Sequence, residues 1–280
     1  MNNTTCAGKF SGILLCSDFD GTLVPSAENI AALEYFTQNG GLFTMASGRY
    51  PKHFRETVKG LPINAPMVAL NGNAIYDLSA DRVLWSNPIP DELTERIIRF
   101  TVENFPEVQS LHVNALTHGL TYKRADFQDG IAESNEYHTA DELLAVMAAD
   151  NTLHPAMKLL AICRTNFTPE LRARYETAFP MLTFVLSGGR GLEMYLPTGG
   201  KGNAVARLRE LLGGREAIHT VVCVGDYEND IGMIEYANIG YAVANACEPL
   251  KAAADRITVS YKENAIARII ADLDNETNKE

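Results

Sequence analysis

The sequence lacks the features that mark nucleic-acid-binding and disulfide-linked proteins. Lysine and arginine total 24 against 35 aspartate and glutamate residues, the formal net charge is -11, and no dense basic run is present. This composition argues against a nucleic-acid partner, because proteins bind phosphate backbones through clustered cations. The five cysteines are scattered, odd in number and without a CxxC pair. That usage is typical of reduced thiols and predicts a cytoplasmic location.

Long apolar runs and grouped histidines are also missing. The apolar stretch near the N-terminus is too short for the core of a signal peptide, and no window approaches the length of a membrane span, so we expect no membrane partner. The six histidines show no metal-ligand grouping. Hydrophobic residues make up 46% of the 280 residues and charged residues 21%, which is typical of a soluble globular protein long enough for two domains. The sequence predicts no oligomeric state.

Short apolar runs alternate with helix-like segments near the N-terminus. The runs GILLCS, LFTMAS and PMVAL are interpreted as strands, and the segments between them, including YPKHFRETVKG, as helices. The same alternation returns from KGNAVARLRELL to the C-terminal ENAIARIIADL. Because strands that alternate with helices form parallel sheets, the two stretches predict one α/β core with a Rossmann-like parallel sheet.

The segment between these stretches has a different pattern. A helix is predicted at 91–104, and the runs VQSLHVN and LTYKR, with a Thr-His-Gly turn between them, predict an antiparallel hairpin. Thr139 begins a stretch with the spacing of a capping box, which predicts a helix start. We therefore expect residues 83–189 to form an inserted α+β domain, and residues 1–82 and 190–280 to form the core.

The stretch CSDFDGTLVP places two aspartates at the end of the first predicted strand. Asp18 and Asp20 are two positions apart, so in an extended chain both carboxylates point the same way. Ligand sites in open α/β sheets lie at the carboxyl ends of the strands, and the following Gly21 and Thr22 add a tight turn and a hydroxyl. Two close carboxylates need a cation or a shared proton. Because an acidic surface turn has the same local pattern, the other motifs decide between a site and a turn.

A second motif, MASGR, follows the next predicted strand. It offers the hydroxyl of Ser47, the main-chain N–H of Gly48 and the cation of Arg49 to an oxyanion. A small hydroxyl residue followed by glycine at a strand-to-helix turn suits phosphate binding, and a purely structural turn is the alternative.

Two further segments complete the pattern. GDYEND follows a buried strand in the C-terminal stretch and adds Asp226, Asn229 and Asp230, which could instead cap a helix. Lys201 lies among glycines at the start of a predicted helix, where the helix dipole disfavours a cation. Such departures from local preference are expected at functional sites, and a solvated lysine is the alternative. Several carboxylates without histidine or cysteine partners favour Mg²⁺, whose coordination substrate phosphate often completes.

The four motifs occur in the order DFDGTLV, ASGR, GGKGNA and GDYENDIGM, and with them the chain resembles the phosphatases of the haloacid dehalogenase superfamily. The resemblance is to the Cof-type subfamily, which carries an α/β cap domain between its second and third motifs. It extends to LNGNAIYD before the inserted segment and to GYAVANACEPLKAAADRIT near the C-terminus. The resemblance implies a phosphoric monoester hydrolase in which a cap domain controls access to the active site.

The resemblance also implies a role for each motif residue. Asp18 would be the nucleophile that forms an aspartyl phosphate, Asp20 would act as general acid and base, and Lys201 would stabilise charge. The residues implied at the Mg²⁺ site are Asp18, Asp20 through its main-chain carbonyl, Asp226 and, in a supporting position, Asp230. The residues implied in substrate binding are Ser47, Gly48, Arg49, Asn229 and Thr22.

These features predict an Mg²⁺-dependent phosphatase that hydrolyses small phosphorylated metabolites, such as sugar phosphates or cofactor-like phosphomonoesters. A phosphotransferase such as a phosphosugar mutase could use the same aspartyl phosphate, and a non-catalytic phosphate-binding regulatory protein could share the Mg²⁺ site. Asp20 argues against the regulatory protein, since a positioned base would hydrolyse a signalling aspartyl phosphate. The candidate cap contacts to the leaving group are Tyr122, Lys123, Arg124 and Lys158. Alternation along a strand turns only some of them inward, and for each one a solvated surface position is the favoured alternative.

Overall fold

The computed structural model describes residues 8–51, 57–126, 136–153 and 155–277. The helix predicted over YPKHFRETVKG includes residues 52–56, which lie outside this part of the chain, so it stays a prediction. The strands, in chain order, are β1 (Ile13–Ser17), β2 (Leu42–Met45), β3 (Met67–Ala69), β4 (Ala74–Asp77), β5 (Arg82–Ser86), β6 (Val108–Asn114), β7 (Gly119–Lys123), β8 (Glu136–Tyr137), β9 (Lys158–Cys163), β10 (Thr183–Ser187), β11 (Gly191–Tyr195), β12 (Thr220–Gly225), β13 (Ile239–Ala242) and β14 (Arg256–Ile257). The α-helices are α1 (Ala27–Gln38), α2 (Asp91–Asn104), α3 (Ala140–Ala149), α4 (Pro169–Ala178), α5 (Lys201–Leu211), α6 (Gly214–Ala217), α7 (Ile231–Tyr236), α8 (Glu248–Ala253) and α9 (Ala265–Thr277).

A five-stranded parallel sheet, in the order β14-β13-β12-β1-β2, forms the centre of the core. Cys16 of β1 pairs in register with Cys223 of β12, and Leu15 of β1 with Phe43 of β2. The residues of β1 and β12 are mostly apolar and buried, as expected for strands covered on both faces. Helix α1 packs against α9, and α5 against α7. The parallel α/β core predicted from the alternation of strands and helices is confirmed.

A small antiparallel sheet, in the order β3-β4-β5, extends the core. The sequence predicts its first strand, PMVAL, as the third strand of the parallel sheet, and one parallel bridge joins Ala46 to Val68 there. The strand otherwise pairs antiparallel with β4. The reason is local, because Leu70 and Asn71 both have φ of 52° and turn the chain back on itself directly after β3.

The inserted segment forms a six-stranded sheet in the order β10-β11-β9-β6-β7-β8. Its strands pair antiparallel except for β7 and β8, and the hairpin predicted from VQSLHVN and LTYKR is β6 and β7. Helices α2, α3 and α4 supply Ile97, Leu143 and Tyr175 to the apolar cluster that this sheet shares with them. The predicted helix at 91–104 and the capping box at Thr139 are both present.

The division of the chain into core and inserted domain follows strand pairing. The strand Arg82–Ser86 pairs with Ala74–Asp77 of the core, and Gly191–Tyr195 pairs within the six-stranded sheet. The apolar side chains near the first boundary belong to different clusters. Trp85 packs on the apolar cluster of the core, whereas Ile89 is buried in the apolar cluster of the six-stranded sheet. The predicted boundaries at 82/83 and 189/190 were drawn from loop composition, and we propose positions a few residues later in the chain, near 87 and 197.

A search of the described residues for a helix both long and apolar enough to cross a membrane finds none.

Candidate active site

Most of the motif residues meet in one cavity of about 300 Å³. The three motifs that bring them there follow neighbouring strands of the parallel sheet, since Asp18 follows β1, Ser47 follows β2 and Asp226 follows β12. The carboxyl ends of parallel strands lie at one edge of a sheet, so the fold itself collects these side chains. The predicted site residues that line the cavity are Asp18, Asp20, Ser47, Gly48, Asp226 and Asn229.

Lys201 lies beneath this cavity between two carboxylates. Its Nζ donates to Oδ1 of Asp18 at 2.6 Å and to Oδ1 of Asp230 at 2.5 Å, and its side chain has no exposed surface. Burial acts to lower the pKa of Lys201, but the two carboxylates outweigh it and raise the pKa above its ordinary value. The ammonium is therefore charged, and the two carboxylates explain why a lysine stands at the start of helix α5.

The Asp18 carboxyl has an unusual electrostatic environment. Burial raises its pKa to about 7, the ammonium of Lys201 opposes the shift, and the carboxylate of Asp230 adds to it. Its Oδ1 is held by Lys201, whereas Oδ2 accepts no hydrogen bond from the described residues. The site therefore contains a buried carboxyl with one oriented oxygen and one available oxygen.

Asp226 and Asp230 have different surroundings although they belong to one motif. Asp230 is fully buried, and its Oδ2 accepts from the main-chain N–H groups of Asp226 at 3.0 Å and Tyr227 at 3.2 Å. With Oδ1 bound to Lys201, both of its oxygens are engaged, so Asp230 fixes the loop that carries Asp226. Burial raises the pKa of Asp226 to about 6, and the nearby carboxylate of Asp230 contributes to the shift.

The arrangement of these acids suits a divalent cation. One carboxylate oxygen each from Asp18, Asp226 and Asp230 lies within 4.8 Å of the others. A Cβ at Gly21, which has a φ of 85°, would lie 2.3 Å from Oδ2 of Asp226, so glycine lets the Asp226 carboxylate approach the main chain. Hard oxygen ligands in such a group favour Mg²⁺. Burial is the main cause of the raised pKa values of Asp18 and Asp226, and the neighbouring carboxylates add to it; a cation would offset that second effect.

Thr22 contributes a buried hydroxyl beside the same acids. Its Oγ1 forms no hydrogen bond of good geometry with the described residues, yet it lies near enough to Asp226 to lower the pKa of that carboxyl. An unsatisfied buried hydroxyl is costly and is explained by an absent ligand, water or ion more readily than by packing. We therefore propose that Thr22 supports the cation site rather than the substrate.

Asp20 and Arg49 pair with each other in this structure. The Nη2 of Arg49 donates to Oδ1 of Asp20 at 2.6 Å and its Nε to Oδ2 at 3.1 Å. The guanidinium also lies over the ring of Phe19, with its Cζ 5.3 Å from the ring centroid. The Asp20 side chain is 63% exposed and is turned to Arg49 rather than to Lys201. Arg49, predicted to bind substrate, is therefore engaged by the predicted acid and base.

Ser47 and Gly48 form the part of the cavity that suits an oxyanion. Ser47 is 1% exposed, and its Oγ accepts a long hydrogen bond of 3.3 Å from the main-chain N–H of Arg49. No acceptor among the described residues takes the Ser47 hydroxyl proton, so the hydroxyl can donate to a ligand. A Cβ at Gly48 would lie 3.2 Å from Oδ1 of Asn71, and the same Oδ1 accepts at 3.3 Å from Asn229. Asn71 therefore links the second motif to the fourth.

Several residues of the cavity escaped the sequence analysis. They are Asn71, Ser187, Gly188, Glu193 and Tyr227. Asn71 belongs to the LNGNAIYD stretch of the resemblance, and the Asn-Gly pair is a turn signal that could have identified it. Glu193 stands between apolar residues in GLEMY, where strand alternation alone would place it on a solvent-facing side. Ser187 ends strand β10, Gly188 lies in the turn after it and Tyr227 lies within the fourth motif, and none of the three carries a distinct signal.

The four proposed cap contacts have other partners. Tyr122 is buried in the apolar cluster of the cap, and Arg124 donates to the main-chain carbonyls of Val108 and Phe105. Lys123 donates to Glu136 at 2.8 Å. Lys158 donates to Glu193 at 3.1 Å and so reaches the cavity only through that residue.

Comparison with known proteins agrees with the motifs. A model of the haloacid dehalogenase-like hydrolase family matches residues 15–270. A 5-amino-6-(5-phospho-D-ribitylamino)uracil phosphatase of Bacillus subtilis (strain 168) is 24% identical over 266 residues, which cover 92% of this chain and 94% of that protein. A pyridoxal phosphate phosphatase of Escherichia coli (strain K12) is 23% identical over 275 residues, which cover 92% of this chain and 97% of that protein.

The solved structures extend the similarity to the whole fold. A sugar phosphatase of haloacid dehalogenase subclass IIB superimposes with a TM-score of 0.74 at 19% identity, with 93% of this chain and 98% of that chain covered. The resemblance predicted from the four motifs is thus confirmed, and with it the α/β core that carries an inserted α+β domain. The chain belongs to the haloacid dehalogenase-like hydrolase family, as a phosphatase.

Proposed function

We propose that this phosphatase hydrolyses small phosphomonoesters through a covalent phosphoryl group on Asp18, with Mg²⁺ as its cofactor. The observation that carries the proposal is the arrangement of Asp18, which is buried, oriented through Oδ1 by Lys201, and within 4.8 Å of two further carboxylates. A carboxylate with one oxygen held and the other available is what in-line attack on phosphorus requires.

Each step of the proposed reaction uses a residue of the cavity. Oδ2 of Asp18 attacks phosphorus, and the bond between phosphorus and the leaving oxygen breaks as the new bond forms. Asp20 donates a proton to the leaving oxygen, then takes a proton from the water that hydrolyses the aspartyl phosphate. Because Asp20 is bound to Arg49 here, it must turn from Arg49 toward the leaving group for this step.

The phosphoryl oxygens need positive charge and hydrogen-bond donors. The Ser47 hydroxyl and the Gly48 N–H would supply donors from the cavity wall, and Lys201 would supply positive charge from behind Asp18. Asn229 lines the same cavity and contacts Asn71. Mg²⁺ would be held by Asp18, Asp226 and the main-chain carbonyl of Asp20, with Asp230 behind them. When bound, it neutralises charge on the phosphoryl group and on the crowded carboxylates.

Relatives indicate the range of substrates. Curated relatives include phosphatases for a phosphorylated ribitylaminouracil and for pyridoxal phosphate, and a structural neighbour is a sugar phosphatase. A cavity of about 300 Å³ lies at the small end of ligand pockets, which suits such compact esters. We propose that the substrate is a small phosphorylated metabolite and that the protein acts in the cytoplasm.

Phosphate release from p-nitrophenyl phosphate tests the proposal. The wild type should release phosphate with Mg²⁺ and lose activity with EDTA, and Asp18→Asn should lose at least about a thousandfold in kcat because the nucleophile is gone. Glu136→Gln, a change in the cap outside the cavity, serves as the matched control and should retain activity. Acid quenching during turnover of a labelled ester should trap label on the wild type. Metal-independent activity, or an active Asp18→Asn, contradicts the proposal.

A further inference from the structure

The cavity has a core wall and a cap wall. The core wall contains the motif residues that are proposed to act on phosphorus. The cap wall contains Ser187, Gly188 and Glu193, from strands β10 and β11 and the turn between them. Because the phosphoryl group occupies the core wall in the proposed reaction, the organic part of the ester meets the cap wall.

Glu193 is the charged residue of the cap wall. It is 2% exposed, and its Oε2 accepts from Nζ of Lys158 at 3.1 Å. The second oxygen, Oε1, accepts no hydrogen bond from the described residues. Glu193 lines the cavity, so its carboxylate can accept a hydrogen bond from a ligand there. The pair is held by adjacent antiparallel strands, since Glu193 of β11 lies opposite Leu160 of β9.

The described residues of the cap wall carry a negative charge and no cation that could bind a second anion. Among the described residues that line the cavity, none is lysine or arginine. The nearby cations already have carboxylate partners, with Arg49 bound to Asp20, Lys201 to Asp18 and Asp230, and Lys158 to Glu193. A leaving group with its own phosphate or carboxylate would therefore meet the Glu193 carboxylate on a wall whose described residues include no lysine or arginine.

The polar groups that remain on this side suit hydroxyl groups. Ser187 and Tyr227 offer hydroxyls, Asn229 offers an amide, and Glu193 offers an acceptor. Tyr227 is the one aromatic side chain among the described lining residues, so a planar ring would find little to stack on.

We propose that Glu193, held by Lys158, selects the leaving group: it accepts a hydrogen bond from a hydroxyl of a neutral polyol or sugar and repels esters that carry a second anionic group. This inference rests on the proposed phosphatase function and narrows its substrate class to uncharged, hydroxyl-rich monophosphates. Lys158 is a positioning residue, since it contacts Glu193 and does not line the cavity.

Two sugar esters that differ by one phosphate test the inference. The wild type should show a kcat/KM for glucose 6-phosphate at least about tenfold above that for glucose 1,6-bisphosphate. Glu193→Gln removes the repulsion and leaves the Lys158 ammonium uncompensated, so this ratio should fall at least about tenfold. Lys158→Met keeps the carboxylate without its partner, so the ratio should not fall.

A matched control and a second variant complete the series. Glu136→Gln changes a carboxylate of the same sheet that also binds a lysine, Lys123, outside the cavity, and should leave the ratio at its wild-type value. If Glu193→Gln does not fold, Glu193→Gln with Lys158→Met removes both charges and should give a ratio below the wild type.

The outcomes separate this inference from the proposed function. A wild type that hydrolyses p-nitrophenyl phosphate but accepts the bisphosphate as well as the monophosphate overturns the inference alone. A ratio unchanged in Glu193→Gln also overturns it. A wild type inactive on every ester with Mg²⁺ contradicts the proposed function instead.

Discussion

At the scale of single residues, Asn71 contacts both the second motif and the fourth. Asn71 is 2% exposed, has a φ of 52°, and donates its N–H to the Ser47 carbonyl at 2.9 Å. Its side-chain oxygen accepts from Asn229. Asparagine tolerates this left-handed conformation better than most residues, so one side chain satisfies both the turn and the contact between motifs.

Two substitutions at Asn71 separate the effect of its backbone conformation from the effect of its side-chain contact with Asn229. Asn71→Ala should lower the free energy of unfolding by about 1 kcal/mol, because alanine disfavours a positive φ, whereas Asn71→Gly should stay closer to the wild type. Both variants lack the amide and should lose about tenfold in kcat/KM for p-nitrophenyl phosphate. Urea unfolding and steady-state kinetics measure the two effects. Wild-type activity in both variants would exclude a role for the amide.

His112 gives the protein a defined response to acid. Burial lowers its pKa to about 4, and Lys158 and Lys123 act in the same direction against Glu136; its Nδ1 also lies 3.0 Å from the Thr121 hydroxyl. In the unfolded chain the ring titrates near 6.5. Between these values the unfolded state binds more protons, so the native state loses stability as the pH falls.

The comparison of wild type with His112→Gln isolates this effect. Between pH 7 and pH 5 the wild type should lose up to about 2 kcal/mol more of its free energy of unfolding than the variant, which has no group to protonate there. Urea unfolding at the two pH values gives both differences. Equal losses in the two proteins would show that the ring is not held neutral by the fold.

The two aspartates proposed to be catalytic could be predicted because their motif is contiguous in sequence. Asp18 and Asp20 share one strand end, and Lys201 was conspicuous because it violates the helix-dipole preference. Asn71 and Glu193 were missed because their contribution depends on contacts far along the chain: Asn71 with Asn229, and Glu193 with Lys158. A local pattern cannot distinguish a carboxylate that faces solvent from one that faces a cavity between domains.

At the scale of elements, the hairpin of β6 and β7 connects the cap to the second motif. The hydroxyl of Tyr50, which follows the Ser47 turn, donates to Oδ1 of Asn114 at the end of β6. A Cβ at Gly119, the first residue of β7, would lie 2.0 Å from that hydroxyl oxygen. Glycine at this position therefore permits the close approach of the hairpin to the core.

A double-mutant cycle tests this contact between elements. Gly119→Ala should push the hairpin off the core and lower kcat/KM for p-nitrophenyl phosphate about tenfold, since small displacements of a substrate-enclosing element are costly. Removing the hydroxyl in Tyr50→Phe with Gly119→Ala should recover part of the loss, with Tyr50→Phe alone as the reference. Strictly additive effects would show that the two residues do not interact.

Elements with strong local signals were predicted best. Helix α2 has the predicted bounds because its apolar residues recur with helical spacing, and Thr139 caps α3 with Glu142 as its spacing indicated. The partner of β3 was predicted less well, because the left-handed pair Leu70 and Asn71 redirects the chain. Pairing between strands is a long-range property, and apolar runs alone do not specify it.

At the scale of the whole molecule, the parallel core collects negative charge at one edge. Asp18, Asp226 and Asp230 share this edge with one lysine, Lys201. The pKa of Asp18 is raised to about 7 and that of Asp226 to about 6, chiefly by burial. A raised pKa means that the native state binds the proton more tightly than the unfolded chain does. The native state therefore loses stability as the pH rises from about 4, where these acids ionise in the unfolded chain, to about 7, and at higher pH the loss is complete. Without a cation, the ionised acids of this site therefore lower the free energy of unfolding of the protein.

Mg²⁺ binding should offset this loss of stability, and the Tm measured at pH 7.5 with and without Mg²⁺ tests this. At about ten times its Kd, Mg²⁺ should raise the Tm of the wild type by about 3 °C, because it binds the native state and not the unfolded chain. NaCl at the same ionic strength is the control for screening. Asp226→Asn should unfold about 2 °C above the wild type without metal, since one crowded carboxylate is gone, and should lose the shift with Mg²⁺. A full Mg²⁺ shift in Asp226→Asn would mean that the cation binds elsewhere. An Mg²⁺ effect no larger than that of NaCl would mean that the acids are stabilised by Lys201 alone.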